Sequence, residues 1–204
     1  MSKLTDIYAP GLGSLAEVSA PATEPVGLAD LKLHLHVDDN DENELIQRCA
    51  VAARDWCERF TGRQFVTATY DWRLDAFPCL STDPLWVPRP PLQSVTSITY
   101  TATDATSTTW GSSNYQTDIY SEPARILPAY GVTWPSTRDV LNAVTIRIVC
   151  GYGAETAVKE TVKQAIKLLT AHWFENREPM GDVGDELMFS LKALLWMDRV
   201  LLAA

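Results

Sequence analysis

Twice along this chain the spacing of apolar residues changes, and those two changes limit the folds open to it. Leu45, Cys49, Ala53, Trp56 and Phe60 recur every three or four residues, the period of a helix with one buried stripe. Thr61-Gly62 supplies the stop. From Phe65 the period becomes two: Val66, Ala68, Tyr70, Trp72 and Leu74 alternate with Thr67, Thr69, Asp71 and Arg73, as in a half-buried strand. LWV after Pro84, SVTSITYTAT, the segment around Tyr115 to Ile119, Arg125-Ile126-Leu127 and AVTIRIVC also read as strands. Past Gly151-Tyr-Gly153 the helical period returns, with Val158, Val162, Ile166, Leu169 and Trp173 on one stripe and Lys159, Lys163 and Lys167 on another. Helical segments that flank a run of strands predict an α+β fold: a bundle of three to four helices with an inserted small, mostly antiparallel sheet region.

The boundaries follow from those switches. Residues 1–25, rich in Ala, Pro, Ser and Gly, predict an arm that is flexible unless a neighbour orders it. Residues 26–63 form the helical part of the core, 64–151 the inserted β region, and 152–204 the C-terminal helices and tail, which pack with 26–63. Leu28, Leu31 and Leu35 predict a first short helix, although LKLHLHV also alternates like a strand. Helices over 41–62 and 155–177 are expected to share one core, with Trp56, Phe60, Ile166, Leu169 and Trp173 contributing. The breaker-rich NREPMGDVGD follows. In the closing segment Leu187, Met188, Phe189, Leu191, Leu194, Leu195, Trp196, Met197, Val200, Leu201 and Leu202 occupy too many helical faces for a helix lying on one core, so the segment is expected to meet a partner rather than its own subunit, the alternative being a third helix that caps the core or packs on the adjacent subunit.

His34 to Asn43, HLHVDDNDEN, invites a metal ion, but the spacing does not supply one. Counting from Asp39 or Asp41, Glu44 or Ile46 stands where a calcium loop needs glycine. His34 and His36 are two apart, and no Cys-x-x-Cys or His-Glu-x-x-His occurs. The stretch fits a helix start better, with Asp39 and Glu42, or Asp41 and Glu44, as a capping box. His172 and Glu175 lack third and fourth ligands. With no G-x-S-x-G elbow, and with Gly11-Leu-Gly13 and Gly151-Tyr-Gly153 lacking the rest of a phosphate cradle, no catalytic set emerges, so no enzyme, cofactor or metal is expected.

Four cysteines, at 49, 57, 79 and 150, show no short-range pairing and read as free buried thiols. Met1-Ser2-Lys3 is not followed by a signal-peptide core and no apolar run reaches membrane length, so a cytoplasmic protein away from membranes is expected. A net charge of -9 argues against wrapping nucleic acid, yet suits a path along which DNA slides without sticking.

The order of pieces is more telling than any one of them: the acidic helix ending in ERFTGRQF, the strand TATYDWRLDAF, the turn RPPLQSVTSITY, then RILPAYGVTWP, NAVTIRIVCGYG and VKQAIKLLTAHWFENRE. From about Leu28 to Glu178 this order resembles the head-to-tail connector, or adaptor, family of long-tailed phages and gene transfer agents. The resemblance implies a structural protein of the virion neck, assembled in the bacterial cytoplasm as a homo-oligomeric ring of twelve copies. That ring would dock on the portal protein and carry the DNA channel toward a stopper or other tail-side neck protein. It also implies that the C-terminal residues named above, from Leu187 to Leu202, grip the portal. The alternatives are another neck or tail ring component of the stopper kind and, from a different class, a small metal-binding enzyme built on His34, His36 and the neighbouring carboxylates.

Overall fold

The computed structural model describes residues 13–176 and 185–200. The described residues divide into two units: a β unit of residues 13–20 and 68–151, and a helical unit of residues 21–67, 152–176 and 185–200.

In the β unit, alternation sets the sheet. Strand β1 spans Ser14–Ser19, β2 Ala68–Leu74, β3 Leu85–Trp86, β4 Leu92–Thr101, β5 Ser107–Trp110, β6 Tyr115–Asp118, β7 Arg125–Pro128 and β8 Val144–Cys150. Five strands form one sheet in the order β1-β2-β8-β4-β5, and three form another in the order β3-β7-β6. All pairings within both are antiparallel. Tyr70 lies opposite Ile148 and Trp72 opposite Ile146, so one face of β2 and β8 buries Ala68, Tyr70, Trp72, Leu74, Val144, Ile146, Ile148 and Cys150. Phe77 stacks on Trp134 at 5.1 Å within the same core. On the outer face Arg147 reaches Asp71 with Nε at 2.8 Å and Nη2 at 2.9 Å.

Part of the expected arm is not an arm. Residues Ser14–Ser19 are an edge strand on β2, with Leu15 packed against the β core. The six residues alternate too briefly to announce a strand, and the neighbour that orders them belongs to the same chain. A Cβ on Gly13 would stand 2.1 Å from the carbonyl oxygen of Arg73, so the approach of the two backbones demands glycine there. Strand β5 was likewise absent from the sequence reading, because STTW carries a single apolar residue.

The helical unit holds α1 (Leu28–Leu35), α2 (Asn43–Thr61), α3 (Glu160–Glu175) and α4 (Asp185–Leu195), followed by a single 3₁₀ turn at Trp196–Asp198. Its core joins Leu31, Ile46, Ala50, Ala53 and Cys57 to Val162, Ala165, Ile166 and Leu169, with Leu191 and Leu195 from α4. The buried stripe of α2 therefore runs one residue out of phase with the expected one. Ala53 is shared, but Cys49, Trp56 and Phe60 lie half-buried at its edge, as does Trp173 on α3. One residue turns a helix by about 100°, and small Ala50 and Ala53 let α2 and α3 approach closely, which leaves the large rings at the margin.

Gly62 ends α2 at φ 71, its amide donating to the carbonyl of Glu58 at 2.9 Å. The expected capping box at the other end does not form. Glu42 is the cap residue, and no side chain there bonds the free amides of the first turn. Asp39 instead accepts the amide of Asp41 at 3.2 Å, and Asn40 Oδ1 accepts Lys32 Nζ at 2.8 Å, so the acidic stretch folds upon itself as the loop between α1 and α2. His34 lies in the last turn of α1, and His36 is the left-handed residue that ends it.

Candidate partner-binding surface

Among the described residues α4 carries the most distinctive apolar surface. Two stripes share this helix. Leu191 and Leu195, both 0% exposed, enter the helical core, with Leu187, Met188 and Leu194 packed against it. Facing outward are Phe189 at 75% exposure, Trp196 at 56% and Met197 at 88%, with exposed Ala193 between them. This corrects the expectation that the segment meets a partner rather than its own subunit. Residues three and four apart share a helical face, so one stripe is spent on the subunit's core and another is left outside it. Leu191 and Leu195 are therefore not available to a partner. Val200 is half-buried, and Leu201 and Leu202 lie outside the described residues.

The turn that follows α4 is clamped onto the end of α2. Arg63 Nε donates to the backbone carbonyl of Asp198 at 2.5 Å, the ammonium of Lys159 pairs with the Asp198 carboxylate, and the Val200 amide donates to the carbonyl of Thr61 at 2.8 Å. Asp198 and Arg63 are both buried. The hydrogen bond to Asp198 holds the Lys159 ammonium above the ordinary lysine range despite partial desolvation. Beside this clamp the guanidinium of Arg199 lies 5.6 Å from the ring of Phe60 and 5.5 Å from that of Trp196, and Phe60 stacks on Trp56 at 5.3 Å.

A second buried polar cluster sits one turn back on α2. Glu58 accepts Arg54 Nη1 at 3.0 Å, Gln64 Nε2 at 2.8 Å and the Phe65 amide at 3.0 Å. Burial opposes the charge of Arg54, but Glu58 and Glu24 together hold its pKa above the usual value. Burial likewise pushes the thiols of Cys57 and Cys150 up to about 12, so neither is a nucleophile near neutral pH. His172 Nδ1 lies 3.4 Å from the side-chain amide of Asn176, and Glu175 is exposed. Among the described residues no group of three or more His, Cys, Asp or Glu side chains comes together as a metal site. The same residues hold no helix long and apolar enough to cross a membrane.

Periodicity signalled an apolar surplus in the C-terminal segment but not its division into two stripes. Arg199, Asp198 and Arg63 went unmarked, since a lone arginine near a chain end and an aspartate beside it carry no spacing signal.

Residues 26–123 match the model of a family described as phage gp6-like head-tail connector protein. Three solved structures share the fold at 20% identity. A chain from the neck of an empty GTA particle, computed with C6 symmetry, aligns with TM-score 0.76 over 94% of this chain and 97% of its own. A chain from the virion of a native gene transfer agent particle gives 0.77 over 93% and 97%. A third, from the neck of a native GTA particle computed with C12 symmetry, gives 0.73 over 94% and 97%. No curated protein matches. The α+β fold is thus one shared with chains of such particles, and just under half of the chain is similar to the head-tail connector family.

Proposed function

We propose that the protein is a ring-forming subunit of a virion neck, present in twelve copies, which seats on the portal and carries the DNA channel on toward a stopper or other tail-side protein. The match of residues 26–123 to the head-tail connector family carries this reading. Further support comes from the likeness of nearly the whole chain to chains from the neck of gene transfer agent particles, one of them computed with C12 symmetry. The net charge of -9 suits a wall past which DNA moves without being held. The portal-facing surface in this reading is the outer stripe of α4 and its turn, Phe189, Trp196 and Met197, with Leu187, Met188, Leu194 and Val200 at the margins and Leu201 and Leu202 beyond. Assembly takes place in the bacterial cytoplasm.

The test is cryo-electron microscopy of particles made with and without the chain. With it, a ring of twelve copies is expected directly beneath the portal; without it, portal-bearing heads that lack a tail. A ring lower in the neck, not touching the portal, would move the protein to the stopper position, and absence from the particle would end the reading.

A further inference from the structure

We infer that Arg199 is a carboxylate-binding contact on this surface beside Trp196, taking an Asp, Glu or C-terminal carboxylate of the protein partner next to the rings of Trp196 and Phe60. The inference rests on the proposed docking through the outer stripe of α4. The geometry of Arg199 is constrained by the residues on both sides of it. The residue before it is fixed twice, through the Asp198 carbonyl on Arg63 and the Asp198 carboxylate with Lys159, and the residue after it is fixed by the Val200 amide on Thr61. Between those anchors the guanidinium lies against the rings of Phe60 and Trp196, and Phe60 is itself backed by Trp56 with only 7° between ring planes. An arginine stacked in this way keeps its N–H fork free at the edge of the group, and ordering it at binding costs little because packing has already ordered it.

The fork has no acceptor of its own: among the described residues no hydrogen bond or ion pair engages the side chain of Arg199, which is exposed, and only its backbone amide donates, to the carbonyl of Trp196. Arg48, Arg54 and Arg59 of the same unit each hold a carboxylate of this chain. In a chain with net charge -9, an unengaged cation held against the rings of Phe60 and Trp196 complements an acidic group set in an apolar surface. A DNA phosphate shares the anionic chemistry but fits the surroundings poorly. Phosphate binding draws on several cations together, and the neighbouring cations Lys159 and Arg63 are already committed to Asp198.

The experiment makes particles with the wild-type chain, R199A and R199K, and measures how much of each is retained in the purified neck. All three should melt alike, because the side chain is exposed. Both variants should be retained about tenfold less or worse, since a charge-assisted fork on a carboxylate is not replaced by a point charge. Full retention of R199A overturns the inference and leaves the docking proposal standing. Full retention of R199K overturns the fork in favour of simple charge. A wild-type chain missing from the neck overturns the docking reading and this inference with it. Binding of a random-sequence DNA duplex by the wild type, abolished in R199A, would assign the contact to phosphate and overturn the carboxylate assignment.

Discussion

The carboxylate of Glu58, buried near the end of α2, accepts the backbone N–H of Phe65 at 3.0 Å. That single bond ties the last turn of a helix to the chain leaving it, and Gln64 and Arg54 bond to the same carboxylate. Removing one partner from a buried charged network leaves the others uncompensated, which costs about 3–5 kcal/mol. Glu58→Ala should therefore lower stability by that order in urea denaturation of the full chain. A loss under about 1 kcal/mol, the scale of an exposed pair, would show that water takes the place of the carboxylate.

Acid should weaken the β unit through Asp71. Its carboxyl is held below the ordinary aspartate range, chiefly by the hydrogen bond from Arg147, which outweighs the opposing effect of burial, and further by the charges of Arg147 and Arg73. A depressed folded value gives stability that is present above the unfolded pKa of about 3.9 and is lost as pH falls through the lower folded value. Asp71→Asn should flatten the fall in melting temperature below about pH 4 relative to the parent. An unchanged acid limb would mean that the pair dissolves into solvent on each side.

Much of this fold could be read from period alone. The two switches of spacing located the sheet region between helices, because strands that bury one face must alternate and helices that bury a stripe must repeat at 3.6. The α2 stripe came out one residue off phase, since Leu45, Trp56 and Phe60 are larger than Ala50 and Ala53. Size marks apolar payload; it does not mark the closest approach of two helices. β1 and β5 escaped because edge strands bury little. The surface followed the same pattern. Its apolar surplus was visible in composition, whereas the clamp joining Arg63 and Lys159 to Asp198 spans 135 and 39 positions, and such pairings leave no local trace.

Thiol chemistry offers an independent check on burial. Cys57 and Cys150 are buried, and burial pushes both thiols up to about 12, with the charge of Glu58 adding to the effect at Cys57 and that of Arg89 opposing it at Cys150. Cys79 is exposed. Iodoacetamide at neutral pH should alkylate Cys79 rapidly in the native protein, while Cys57 and Cys150 react only after denaturant is added. Rapid native labelling of Cys57, read by peptide mass spectrometry, would contradict the packing of α2 against α3.

Adjacent residues at the end of α4 should behave in opposite ways when truncated. Leu195 is wholly buried in the helical core, and Trp196, the next residue, is more than half exposed. Leu195→Ala removes side-chain atoms that no solvent reaches and leaves a cavity, costing about 2–5 kcal/mol. Trp196→Ser removes a larger side chain but mostly from water, giving up its contact with Arg199 and little of the core, so it should cost about 1 kcal/mol or less in stability. Assembly should reverse the order. Exposed aromatic residues at the centre of a patch dominate binding, with losses of about 2 kcal/mol or more on truncation, so Trp196→Ser should abolish stable incorporation into particles while melting near the parent. Leu195→Ala, at a temperature where it remains folded, should still be incorporated. Thermal melts and immunoblots of purified particles decide between the two residues. If Trp196→Ser assembled normally and Leu195→Ala alone failed while folded, the inner stripe would be the one that leaves its core to meet the partner, and the outer one merely solvated.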